Sequence, residues 1–354
     1  MNKIFNILKQ EKSISLDKFM DIALYDKKFG YYMTKNPFGK TGDYITSPLI
    51  SNLFGEMLAV WCIAFWEYLG RPKKIVLVEL GPGDGTLCKN LLVTFKNFNY
   101  FYNFLQINLL EKSNNLKKIQ KSKIKNKKVK WINKINEVNS GPIIFLCNEF
   151  FDSLPIKQIY IKKGLFFEKH VALGKNNKKI RFMYKKLKKN LIKDINRLNL
   201  LSNKNMAEYP TEAIDYLKEI TKKIKKYDGG LLSFDYGYTN NKNQNTLQSI
   251  KKHKFSKILS HPGKSDITSH INYKLFSNIL KSNGLKVEKI VSQSEFLQKL
   301  GIIERAEILS KNMSFKEKAN MFYRLKKLLH VKEMGKIFKV LLAINKNKKF
   351  SLGF

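Results

Sequence analysis

The chain has 354 residues, 43% hydrophobic and 12% aromatic, enough to fill the core of one large domain or of a catalytic domain with a substantial addition, and this excludes wholesale disorder. Its formal charge of +39 comes almost wholly from Lys scattered among Asn and Ile, without the Arg forks, placed aromatics or motifs of a nucleic-acid reader, so no specific nucleic-acid partner is expected. Three cysteines, none in a C-x-x-C pair, and five histidines without ligand spacing argue against a disulfide frame and a metal site and for a reducing compartment. The basic surface reads as a solvated one, with an acidic partner protein as the alternative it would attract.

Met1 to Gln10 has neither the apolar run of a signal peptide nor the Arg-rich character of a transit peptide, and no apolar run reaches membrane-spanning length, so the cytoplasm is the expected location. The pattern predicts helix over 14–32, an irregular loop over 37–48, and a long helix over 49–69 capped by Ser47. Alternating units follow. Ile75-Val76-Leu77-Val78 is a strand that runs into a glycine turn and a helix from Thr86. Ile107-Asn108-Leu109-Leu110 is a second strand ending at Glu111, then a helix carries Leu116 and Ile119. Strands at 129–132 and 143–147 come next, the latter ending at Asn148-Glu149. This rhythm predicts an α/β fold with a doubly wound, mostly parallel sheet.

The rhythm then breaks. A hairpin is predicted over 157–173, turning at Gly164, and helices over 185–201 and 211–226. This stretch reads as an insertion over the sheet's edge or mouth. Strand 231–234, a polar loop over 239–245, a helix over 272–281 ended by Gly284, a strand near Val287, helices to His330 and a last strand over 338–343 complete the chain. The expected division is an N-terminal helical region over 1–70, a core over 71–156 and 229–354, and an inserted cap or substrate-binding subdomain over 157–228.

Three motifs carry chemistry. Glu79-Leu80-Gly81-Pro82-Gly83-Asp84-Gly85-Thr86 links strand to helix at the end of the sheet where ligands bind, and its glycines let a ligand approach the backbone. The helix start beyond it favours a carboxylate. The bland reading is an ordinary strand–helix turn. Glu111, at the end of the second strand, can accept hydrogen bonds from both hydroxyls of a ribose, or else caps the next helix. Turn and acid together suggest an adenosine ligand with a carboxylate at one end, which describes S-adenosylmethionine better than NAD. Asn148-Glu149-Phe150-Phe151-Asp152-Ser153-Leu154-Pro155 offers two carboxylates, Glu149 and Asp152, able to converge on one guanidinium. The alternative is a helix-start acid and a capping Asp. Weaker candidates are a lid at Gly42-Asp43-Tyr44-Ile45-Thr46-Ser47-Pro48, an acid or base at His270, and a pocket-shaping turn at Asp235-Tyr236-Gly237-Tyr238.

These blocks, with Phe54-Gly55-Glu56, Thr246-Leu247-Gln248, Pro262-Gly263, Asp266-Ile267-Thr268-Ser269-His270 and Met334-Gly335-Lys336-Ile337-Phe338-Lys339-Val340, resemble the MidA-like family of methyltransferases, whose mitochondrial members are assembly factors for respiratory complex I. The resemblance implies a Rossmann-like, seven-stranded class I methyltransferase fold and S-adenosyl-L-methionine as cofactor, held by Glu79, Gly81, Gly83, Gly85, Thr86 and Glu111. It also implies arginine methylation to symmetric dimethylarginine on a hydrophilic subunit of NADH:quinone oxidoreductase, with Glu149, Asp152 and His270 as catalytic candidates and no metal. A bacterial cytoplasmic member is expected, the mitochondrial matrix being the place of eukaryotic relatives, and a homodimer is left open. Asp84 stands where the family is typically basic, and an acid there weakens cofactor binding unless its side chain turns away. A small-molecule methyltransferase under a cap, or a non-catalytic assembly factor keeping the fold, are the competing readings.

Overall fold

The computed structural model describes all residues except 1, 40, 41, 44, 45, 175–178, 202–204 and 241–244. The expected lid residues Tyr44 and Ile45, and most of the expected polar loop over 239–245, therefore lie outside the described residues. The chain gathers into two units. One holds Phe38–Phe150, Leu217–Thr239 and Ile271–Phe354; the other holds Met1–Pro37, Phe151–Tyr216 and Asn240–His270.

The first unit is built on a mixed sheet. Its main strands are β1 (Ile75–Leu80), β2 (Leu105–Leu110), β3 (Val129–Ile132), β4 (Ile143–Asn148), β5 (Gly229–Tyr238), β6 (Leu285–Val287) and β7 (Phe338–Asn345). Their spatial order is β6-β7-β5-β4-β1-β2-β3. From β5 to β3 every pairing is parallel, whereas β7 runs antiparallel to both β5 and β6. The sequence dictates this. All six residues of β1 are buried, and such continuous apolar runs suit parallel strands covered by helices on both faces. The strand order reverses direction beside β1, between β2 and β4, and this switch point is where open α/β sheets bind ligands.

Three helices matter for the site: α1 (Asn52–Tyr68), α2 (Thr86–Phe95) and α3 (Asn114–Lys123). α1 buries Phe54, Trp61 and Phe65 completely, and Phe54 meets Phe234 of β5 edge to face at 5.4 Å. Its cap differs from expectation. Ser47 opens a separate one-turn helix, Ser47–Ile50, and its hydroxyl donates to Gln293 Oε1 at 3.2 Å. Ser51 is extended, with ψ 135°, and caps α1 through the Leu53 amide. A serine hydroxyl two residues before a free helical amide competes well for the role.

The second unit carries its own five-stranded sheet, in which Leu165–Leu173 pairs with Ser13–Ser15, Lys157–Lys162 and Ile180–Lys186, and Lys157–Lys162 also pairs with Met206–Tyr209. The expected hairpin is present. Lys163 and Gly164 both have positive φ, 50° and 72°, as a two-residue turn matching the strand twist requires. Two expected helices are shorter than predicted. Ser13–Ser15 is strand and the helix begins at Leu16. Lys185 and Lys186 end the strand Ile180–Lys186, Lys185 standing opposite Glu168, and helix is confined to Lys189–Arg197. Backbone pairing with Leu165–Leu173 outweighs local helix propensity here. Lys157 Nζ ties the unit together, bonding Asp17 at 2.8 Å and Glu168 at 2.7 Å.

Among the described residues no helix is long and apolar enough to cross a membrane. Phe54→Ala is expected to destabilise the first unit by about 3–5 kcal/mol, whereas Phe255→Ala, at a position 80% exposed, is expected to cost less than about 0.5 kcal/mol. Denaturant unfolding of the two variants checks the contrast.

Candidate active site

Beyond β1 the backbone passes through Gly81, Gly83 and Gly85 with φ of 65°, 56° and 82°. Three left-handed residues within five positions restrict those sites to glycine on conformational grounds. Space restricts them too. A Cβ on Gly81 would stand 2.8 Å from the Phe150 ring, and one on Gly83 2.8 Å from the Phe38 ring. The turn is fixed by Gly81 N donating to Leu110 O at 3.0 Å and Gly85 N donating to Pro82 O at 2.8 Å.

α2 begins at Thr86, whose amide donates to Asp84 Oδ1 at 3.0 Å. The other Asp84 oxygen holds the Lys123 ammonium. Asp84 is 8% exposed. It does not turn out to solvent. Its charge is answered within the chain, by the helix start and by a lysine from the end of α3.

Glu79 is 3% exposed, and its Oε2 has no hydrogen-bond partner among the described residues. Burial, reinforced by the negative charge of Asp84, pushes its carboxyl up to about 8. It is therefore largely protonated at neutral pH. Glu111 follows β2 and is 8% exposed. It accepts from Ser113 N at 2.7 Å and from Gln120 Nε2 at 3.1 Å. Burial raises its carboxyl above the ordinary range, against the lowering effect of those hydrogen bonds.

Gln120, not singled out in the sequence, joins these pieces. It is wholly buried in α3. Its Nε2 also donates to Gly83 O at 2.8 Å, and its Oε1 accepts from Trp131 Nε1 at 2.8 Å. The glycine turn, the acid after β2 and an indole on β3 thus meet on one carboxamide. The signal was in the sequence. Gln120 lies midway between Leu116 and Ile124 at helical spacing, a polar residue on a buried stripe, which calls for a polar partner inside.

At the end of β4, Glu149 adopts φ 52°, a left-handed conformation that costs a non-glycine residue about 1–3 kcal/mol and tends to mark functional positions. Its amide donates to Phe234 O at 2.9 Å, and Asn148 Nδ2 donates to its Oε1 at 3.2 Å. Asn148 Oδ1 is buried without a hydrogen-bond partner among the described residues.

Glu79, Gly81, Gly83, Gly85, Thr86, Glu111 and Glu149 thus all lie in the first unit, at the carboxyl ends of β1, β2 and β4. Asp152 and His270 belong to the second. There, Ser269 N donates to Asp152 O at 3.0 Å, and His270 N donates to Thr246 Oγ1 at 2.9 Å. Burial lowers the His270 imidazole below its usual value, favouring the neutral ring. The turn expected at Asp235-Tyr236-Gly237-Tyr238 is instead the end of β5, where Asp235 stands opposite Lys339 of β7 and its carboxylate accepts from Tyr236 N at 2.9 Å.

Other chemistries find little here. All three cysteines are free and buried, and burial lifts the Cys88 and Cys147 thiols well above their ordinary value, which leaves them unreactive at neutral pH. Among the described residues no group of three or more His, Cys, Asp or Glu could hold a metal ion. The partnerless oxygen of Glu79 and the spare lone pairs of Glu111 instead fit a ligand that offers an ammonium and hydroxyls.

Residues 57–291 match a family model described as S-adenosyl-L-methionine-dependent methyltransferase. The mitochondrial protein arginine methyltransferase NDUFAF7 of Xenopus tropicalis is 28% identical, over 96% of this chain and 84% of its own. NDUFAF7 of Homo sapiens is 26% identical, over 94% and 80%. A structure from Burkholderia thailandensis with S-adenosyl-homocysteine bound superposes with a TM-score of 0.83 at 19% identity, over 99% of this chain and 92% of its own. These likenesses agree in fold with the sheet order above.

The raised carboxyl of Glu79 makes stability depend on pH. Folding lifts it from 4.5 to about 8, so the folded state binds the extra proton, and its contribution is full below about pH 4.5 and lost as pH rises through about 8. Unfolding midpoints followed across that range should fall with rising pH in the wild type, and Glu79→Gln should remove this part of the decline.

Proposed function

The chain belongs to the family of S-adenosyl-L-methionine-dependent methyltransferases, and from that premise we propose that it methylates an arginine of a protein, forming symmetric dimethylarginine. The observation that carries this reading is Glu149, a carboxylate held in a left-handed conformation just past β4, in a chain similar over nearly its whole length to proteins named as arginine methyltransferases. The resemblance extends the proposal to a hydrophilic subunit of NADH:quinone oxidoreductase as the target, whose assembly the methylation aids.

When bound, S-adenosyl-L-methionine supplies an electrophilic sulfonium methyl. The residues toward it have separable tasks. Gly81, Gly83 and Gly85 leave room along the backbone where any side chain would intrude. Glu79 offers a buried oxygen to an ammonium, whose arrival would favour the ionised carboxyl. Glu111, oriented by Gln120, accepts from ribose hydroxyls. Glu149 would accept hydrogen bonds from the target guanidinium and present one of its nitrogens in line; Asp152, the other acid the sequence offers for this task, belongs to the second unit. His270, in the second unit, is the candidate acid or base that the sequence offers.

The test is mass spectrometry of the oxidoreductase subunit from cells with and without this protein. Dimethylarginine should appear only with it, and Glu149→Gln should lower the methylation rate about a hundredfold or more. A subunit unmethylated in both, or a Glu149→Gln variant as active as the wild type, contradicts the proposal.

A further inference from the structure

The helix α4 (Phe315–Leu329) turns Leu325 and Leu328 into the core of the first unit, with Met321 and Leu329 packed beside them. Its opposite face is not simply polar. Phe315 is 88% exposed, Tyr323 58% and Phe322 39%. Lys316 and Lys326 are exposed between these rings, and Lys327 Nζ lies over the Tyr323 ring at 4.8 Å. At helical spacing, Phe322, Phe315, Lys326, Tyr323, Lys316 and Lys327 fill one arc of about 140° that contains no carboxylate. The helix's one acid, Glu317, is turned elsewhere and occupied, accepting from the Ser314 amide at 2.8 Å and its hydroxyl at 2.7 Å. Exposed apolar residues continue into the flanking segments, with Ile308 58% and Val331 61% exposed.

We propose that this face is the surface by which the chain rests on a membrane rich in anionic lipid. Aromatic rings interleaved with lysines suit that occupant. Rings enter at the level of the headgroups while lysine stems lie along them and carry the ammonium groups back to the phosphates. The formal charge of +39 adds long-range attraction to a negative surface. A second copy of the chain is a poor fit, because a two-fold contact would set this face against itself and lysine against lysine. An acidic protein is the weaker match. The arc holds lysines alone, without the arginine forks that grip carboxylates in pairs.

Co-sedimentation of the full chain with vesicles tests this. Vesicles of phosphatidylcholine with about 30% phosphatidylglycerol should bind it, those of phosphatidylcholine alone should not, and added salt should weaken the binding. The double variant Phe315→Ser/Phe322→Ser, with every lysine kept, should lower the partition roughly tenfold or more, while its melting temperature and its affinity for S-adenosyl-homocysteine stay unchanged. Failure of the wild type to bind anionic vesicles overturns the proposal. So does a double variant that binds as the wild type does, since charge alone would then account for adsorption. Capture on immobilised polyglutamate that is lost in the double variant, without vesicle binding, reassigns the face to an acidic protein and also overturns it.

Discussion

One carboxamide holds the site's separate parts in register. Gln120 reaches the Gly83 carbonyl, the Glu111 carboxylate and the Trp131 indole, and it does so from the buried side of α3, where no water competes. Removing such a group leaves three polar partners unsatisfied at once, each at about 1–3 kcal/mol. The glycine turn can therefore keep its three left-handed residues without side chains of its own to brace it. The strands place the turn and the acid, and the amide keeps them facing one another.

The same economy governs the acids. The chain has 28 acidic residues against 67 basic ones, yet Glu79, Asp84 and Glu111 are buried where β1 and β2 end. Burying a carboxylate is costly unless hydrogen bonds or a cation answer it. Asp84 has Lys123 and a helix amide, and Glu111 has an amide and Gln120. Among the described residues Glu79 has neither for one of its oxygens and accommodates burial by holding its proton. That unanswered oxygen lies two residues before the turn's first glycine, which suits a position awaiting a cationic group.

Much of this was legible beforehand. The parallel core announces itself through apolar runs such as Ile75-Val76-Leu77-Val78, because strands covered on both faces need no polar alternation. The glycines of the turn follow from their spacing after a strand. What escaped reading depends on contacts distant in sequence. Lys185 and Lys186 join a strand because their partners are Glu168 and Phe167, which no local propensity reveals. Ser51 displaced Ser47 as the α1 cap because Ser47 is engaged with Gln293, far along the chain. Gln120 was hidden by the opposite error, a polar residue passed over inside an apolar stripe. The departure at Asp84 could be seen in the sequence, but its remedy, Lys123, could not.

We propose that the turn and its acids, aligned by Gln120, form the cofactor site. Calorimetric titration with S-adenosyl-homocysteine tests it most directly. One equivalent should bind the wild type, and Gln120→Leu, shown to be folded by its circular dichroism, should bind roughly tenfold more weakly or worse. A wild type that binds nothing, or a folded Gln120→Leu of undiminished affinity, would contradict the account.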